Sequence, residues 1–178
     1  MKKSDKISLL HDSIGTYQLC RCYFNYDPNY WYFYILDNSD RLFLGVEEDD
    51  FMLDGYQIRK ISDLNKIEIK NDLSAKINKG KNILANIPKF DVDISSWETV
   101  FESLKSLNIF IIIENEKLGD DNFFYMGYIA EIKKTCVIFS SVDANGEWYD
   151  NIEIPYSKVT SVTFNDRYSK TWQEYLSR

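Results

Sequence analysis

The chain has 178 residues, 44% of them hydrophobic, which is enough apolar material for a core and excludes disorder along its whole length. Its formal charge is −7, from 21 Lys and Arg against 28 Asp and Glu, so a phosphate backbone could be held only by a locally concentrated minority of cations, and the balance counts against nucleic acid. The longest apolar run free of tyrosine, residues 109–113, is strand-sized and far short of a membrane span, while the basic start Met1-Lys2-Lys3 has no apolar stretch behind it, so the reading is a cytoplasmic chain with no membrane association and no secretory signal.

In chain order, Ser4, Ile7, Leu10 and Ile14 predict a first helix ended by Gly15. Five strands follow over residues 16–24, 30–36, 41–46, 56–61 and 64–69, rich in the aromatic and β-branched side chains that suit a pleated surface. Residues 73–84 predict a second helix interrupted by Gly80, and residues 85–94 a short linker. Ser95 and Glu98 have capping-box spacing and open a third helix, whose Trp97, Val100, Phe101, Leu104 and Leu107 make one apolar face. Strands over residues 109–114, 122–132, 135–141, 152–154 and 159–164 come next, with Asn145-Gly146 as a turn signal, and residues 166–176 predict a closing helix.

This order occurs twice. Ile7 and Leu10 fall on Phe101 and Leu104 about 94 positions later, Tyr17 and Leu19 on Ile111 and Ile113, and Tyr34-Ile35-Leu36-Asp37 on Tyr128-Ile129-Ala130-Glu131. A period near half the chain indicates two copies of one small domain. The expected fold is therefore mainly β with short helices (α+β), as two tandem five-stranded SH3-like/Sm-like barrels, residues 1–84 and 95–178, each preceded and followed by a short helix. The first 94 residues carry a net charge of −2 and the remainder −5.

Asp54-Gly55-Tyr56 followed by Ile61-Ser62-Asp63-Leu64 and Ile67, together with Asp143-Ala144-Asn145-Gly146-Glu147 and Tyr156-Ser157-Lys158-Val159-Thr160-Ser161-Val162, resembles a family of uncharacterised proteins of low-GC Gram-positive bacteria with a two-copy Sm-like or SH3-like arrangement. The resemblance spans nearly the whole chain and implies the fold; it implies no activity and no site residues.

Four groups of residues are candidates for function. The aromatic run around Tyr30, Trp31 and Tyr32 must point alternately to both sides of its strand, so half of it lies outside the first core and either covers the other domain or forms a binding patch. The acidic run Glu47, Glu48, Asp49 and Asp50, with Asp143 and Glu147 in the matching loop of the second half, offers an acidic surface but lacks the ordered ligands of a calcium loop. Arg59, Lys60, Lys66 and Lys70 are the nucleic-acid footprint that a degenerate Sm-like RNA binder would use. Cys20, Cys22 and Cys136 are an odd set without zinc spacing, read as buried thiols, and His11 is read as a surface or capping residue near a helix end.

No nucleophile or acid–base arrangement is recognisable. The expected function is a non-enzymatic protein-interaction module acting through the aromatic patch and acidic loops. It needs no metal and no cofactor, and its partner is a protein of basic character, for which a toxin bound by an acidic immunity protein is one analogy. RNA binding is the alternative. A small metal-dependent hydrolase, which would require His11, a cysteine and a carboxylate to converge, is third.

Overall fold

The computed structural model describes residues 1–85, 87–119 and 121–176, and divides at Phe90 into two compact units, residues 1–90 and 91–178. The division falls inside the 85–94 segment. Unit 1 runs α1 (Lys3–Ser13), β1 (Leu19–Phe24), β2 (Tyr30–Asn38), β3 (Leu42–Asp49), β4 (Met52–Lys60), a 3₁₀ turn (Ile61–Asp63), β5 (Leu64–Ile69) and α2 (Leu73–Lys81). Unit 2 runs α3 (Trp97–Ser106), β6 (Ile111–Asn115), β7 (Phe123–Ile132), β8 (Cys136–Ser141), β9 (Ile152–Pro155), β10 (Ser161–Phe164) and α4 (Arg167–Leu176).

The predicted barrels are not formed. The strands make open antiparallel sheet, ordered β5-β1-β2-β3-β4 in unit 1 and β10-β6-β7-β8-β9 in unit 2. In unit 1 the 3₁₀ turn carries the chain from β4 at one end of this order to β5 at the other, where β5 pairs with β1. Closure is unnecessary because α1 covers the face that a barrel would turn inward. Its Leu10 is buried with Cys20, Cys22, Phe24, Phe33, Ile35, Phe43, Ile61, Leu64 and Ile67, and Ile7, Leu9 and Ile14 pack against the same cluster. In unit 2, α3 packs on β7 and β8, and α4 lays Trp172 and Leu176 on Phe110, Ile112, Met126 and Val142.

Local chemistry sets several element ends. The third helix is capped by Ser96 with Thr99, one residue later than the predicted Ser95–Glu98 pair: the Ser96 hydroxyl accepts from the Thr99 N–H at 3.2 Å, and the Thr99 hydroxyl accepts from the Ser96 N–H at 3.1 Å. Ser95 and its neighbour Asp93 belong to the turn before the helix, with the Ser95 N–H donating to the Asp93 carboxylate at 2.8 Å. β2 bulges between Ile35 and Asp37, and β7 between Ile129 and Glu131. These are the residues that the internal sequence match pairs with one another, so both sheets bend at matching points.

Gly127 in β7 takes φ +154, and a Cβ there would lie 2.0 Å from the Ser140 carbonyl oxygen. Gly127→Ala is expected to destabilise the chain by about 3 kcal/mol or more, because the obstacle is backbone and cannot turn aside. Gly80, in α2 with open space around it, should behave oppositely: Gly80→Ala is expected to stabilise by about 0.5–1 kcal/mol. Chemical denaturation of the two variants beside the parent checks both signs.

Candidate functional site

Three surfaces carry the predicted residues or their neighbours. The first is the side of β1, β2 and β5 opposite the α1-covered face. Strand alternation places Arg21, Tyr23, Tyr30, Tyr32, Lys66 and Glu68 there together. Arg21 donates to the Tyr32 hydroxyl at 2.9 Å and the Tyr23 hydroxyl at 3.4 Å, and its guanidinium lies 4.5 Å from the centre of the Tyr30 ring. The Tyr23 hydroxyl donates to Glu68 at 3.0 Å, and Lys66 pairs with Glu68 at 2.5 Å. Lys70 is paired with Asp72, whose carboxyl is held well below its ordinary range by hydrogen bonds from Lys70, Ser74 and the Ala75 N–H. Tyr30 is exposed, while Tyr32 is half-buried in this network. Trp31 points the other way and donates to Asp27 at 2.7 Å.

The second is the β3–β4 hairpin, where the acidic run proves to be largely structural. Asp50 and Phe51 form its two-residue turn with φ +47 and +69, a conformation that a bulky residue such as Phe rarely takes. Glu48 is 8% exposed and steadies the turn: its Oε1 accepts from the Phe51 N–H at 2.8 Å and from the Asn78 amide of α2 at 3.0 Å. Asp49 and Asp50 are exposed. Gly55, of the Asp54-Gly55-Tyr56 motif, takes φ +79 where β4 carries an extra residue against β3, so the motif serves a bulge.

Arg59 lies behind the hairpin at 1% exposure, which removes it from the nucleic-acid footprint. In the β3–β4 register it stands opposite Phe43, on the core face. Its guanidinium is 4.5 Å from the centre of the Phe24 ring and 5.1 Å from that of Trp31, with Nε donating to Gln57 at 2.6 Å and Nη1 to the Tyr26 hydroxyl at 3.3 Å. Gln57 in turn donates to Glu47. Burial pushes the Glu47 carboxyl up to about 7; Arg59 opposes the rise and Asp54 and Asp49 add to it. Lys60 is half-buried, Lys66 is exposed, and both Lys66 and Lys70 are paired with acids.

The third surface is in unit 2 and was not read from the sequence. Phe124 lies 6.2 Å from Tyr168 between ring centres, Tyr168 lies 6.3 Å from Trp172, and Tyr128 lies 6.0 Å from Trp148. Trp172 and Tyr128 both pack on the cluster beneath α4, so the two sets of rings flank one core cluster. Phe124, Trp148, Tyr149, Tyr168 and Tyr175 are each 47–71% exposed. The loop bearing Asp143 and Glu147 borders this patch, since Gly146 stands beside Leu176 of α4. Asp143 organises the loop by accepting from the Asn145 and Glu147 N–H groups, both at 2.8 Å, and these bonds hold its carboxyl below the ordinary range. Glu147 and Asp150 are exposed. Sequence reading placed here only a turn at Asn145-Gly146 and a closing helix over 166–176; the signal for an exposed patch was the number of rings, Trp148 and Tyr149 beside the turn and Tyr168, Trp172 and Tyr175 on the helix.

Charge is divided sharply between the units. Residues 1–90 hold 13 basic and 13 acidic side chains and are neutral, whereas residues 91–178 hold 8 and 15, so the whole net charge of −7 belongs to unit 2. Asp91 and Asp93 fall on its side of the division.

Cys20, Cys22 and Cys136 are free and buried, and burial raises all three thiols. His11 is exposed in the last turn of α1. Among the described residues no group of three or more His, Cys, Asp or Glu is placed to hold a metal ion, and no helix is long and apolar enough to cross a membrane. No protein-family model matches the chain, and neither does any curated protein or solved structure.

Two outcomes are expected at the Arg59 cluster. Arg59→Ala should cost about 3–5 kcal/mol, since it leaves the half-buried Glu47 and the buried Gln57 without their cation. Glu47 keeps its proton up to about pH 7 when folded and releases it near 4.5 when unfolded, so it subtracts stability as pH rises through that window. Thermal melts of Glu47→Gln between pH 4 and 8 should lose this decline and exceed the parent most clearly at the alkaline end.

Proposed function

We propose that the chain is a tandem two-unit, non-enzymatic protein-interaction module that recognises a basic protein through the acidic aromatic face of unit 2. The carrying observation is two half-exposed sets of rings, Phe124 with Tyr168 and Trp172, and Tyr128 with Trp148, that flank one core cluster in a unit of charge −7 and are bordered by Glu147 and Asp150. Large exposed aromatic patches on soluble chains mark interaction surfaces, and Trp and Tyr dominate binding energy at their centres. Lys and Arg are the side chains that such a face suits best, because ring faces attract cations and the surrounding field speeds their approach. The Asp143-built turn fixes the acidic border before binding, so less ordering accompanies association. The tyrosine face of unit 1 fits this role less well, because its cations and phenols already satisfy one another.

The test is affinity capture from nuclease-treated lysate on the parent chain and on a Glu147→Lys/Trp148→Ser variant. Capture of a basic protein that the variant loses, and that elutes as salt is raised, is the expected result. Equal capture by the variant, or recovery of nucleic acid alone in an untreated lysate, contradicts the reading.

A further inference from the structure

The outer edge of β5 differs from that of β9. In the β1–β5 ladder the Lys70 N–H donates to the Leu19 carbonyl at 2.8 Å, and Leu19 stands opposite Lys70. Hydrogen-bonded and non-bonded pairs alternate along an antiparallel ladder, so Glu68 and Lys66 also turn their backbone groups to β1, while Ile67 and Ile69 turn theirs outward; the alternation stops at Lys66, because Leu64 and Asn65 together oppose Phe24 in a bulge. Among the described residues β5 pairs with no strand but β1. In the β8–β9 ladder the Tyr156 N–H donates to the Thr135 carbonyl, which by the same alternation leaves Glu153 and Pro155 facing outward. Pro155 has no N–H to offer, and that edge is closed to a further strand. No proline blocks the outward positions of β5.

We propose that β5 pairs with β5 of a second copy of this chain, antiparallel and centred on Ile67, to form a two-fold dimer. Centring on Ile67 sets Ile67 against its own counterpart as a hydrogen-bonded pair, with the bulged Asn65 beside the second copy's Ile69. The Ile67 pair then exchanges about two backbone bonds across the axis. The same register sets Lys66 opposite the second copy's Glu68, and Glu68 opposite its Lys66, as close non-bonded pairs on the tyrosine face. Opposite charges in such positions stabilise pairing and like charges oppose it. A two-fold axis requires a self-complementary patch, and Lys66, Ile67 and Glu68 provide one in three consecutive residues. Shifting the centre by one residue, to Lys66 or Glu68, would set like charges against each other. The dimer would join two tyrosine faces into one continuous surface. It is a weak assembly, because a single strand pair buries far less than the ~1,200 Å² of a standard interface.

Sedimentation velocity across a range of concentrations tests this on the full chain. The expected result is a concentration-dependent dimer for the parent, with Lys66→Glu weakening it about ten-fold or more by setting a carboxylate of each copy against the other's Glu68. The double swap Lys66→Glu/Glu68→Lys should restore association, since opposite charges again meet across the axis. Circular dichroism melts confirm that each variant is folded. A parent that stays monomeric at the highest concentration overturns the proposal. So does a dimer indifferent to Lys66→Glu, or one that the double swap fails to restore.

Discussion

Alternation along a strand gives an open sheet two faces, and helices cover only part of that area. This constraint shapes both units. In unit 1, α1 closes the apolar portion of one face, and the remainder of that face, at β3 and β4, is closed by Glu47, Gln57 and Arg59 instead of by hydrocarbon. The arginine works there because its flat guanidinium lies over Phe24 and Trp31 while its edge donors reach Gln57 and Tyr26. On the opposite face the tyrosines of β1 and β2 tie their hydroxyls to Arg21 and Glu68 and remain near water. The Tyr56 end of that face is buried, with its phenol pushed up to about 12 and donating to the Pro88 carbonyl.

Unit 2 meets the same constraint with a second helix. α4 is narrow for the rings it meets, so Trp172 and Leu176 are seated on the sheet while Tyr168, Phe124 and Trp148 form a half-exposed border. That border lies in the unit that carries all of the net charge. Aromatic exposure and negative charge thus coincide, whereas in unit 1 the exposed aromatic face is locally neutralised. This contrast is what favours the unit 2 face as the proposed recognition surface.

Much of the secondary structure was legible because strand-forming residues, Asn/Asp turns and helical spacing are local properties. Each strand lies within three residues of its expected start except β4, which begins at Met52, four residues early, because the Asp50-Phe51 turn is tighter than the sequence suggests. Barrel closure was not legible: the same alternating strands serve an open or a closed sheet, and only the position of α1 decides. Arg59 and Glu48 were misplaced for a related reason. A charged residue in a strand reads as solvent-facing, yet Arg59 shares the face of Phe43 and Glu48 is needed beneath a turn with two left-handed residues. Of the acidic and aromatic candidates, Glu147 borders the patch proposed for binding, while Tyr30 and Tyr32 belong to the network around Arg21.

The most direct test is the tryptophan indole region of a nitrogen-15 NMR spectrum, recorded while a short Arg/Lys-rich peptide is added to the full chain. Trp148 and Trp172 belong to the aromatic face of unit 2, Trp31 is tied to Asp27 beside Arg59, and Trp97 is buried in α3. The expected result is that the Trp148 and Trp172 signals move, that the shifts diminish as salt is raised, and that Trp31 and Trp97 stay in place. Movement of Trp31 alone, or saturation with no change at Trp148, would contradict it.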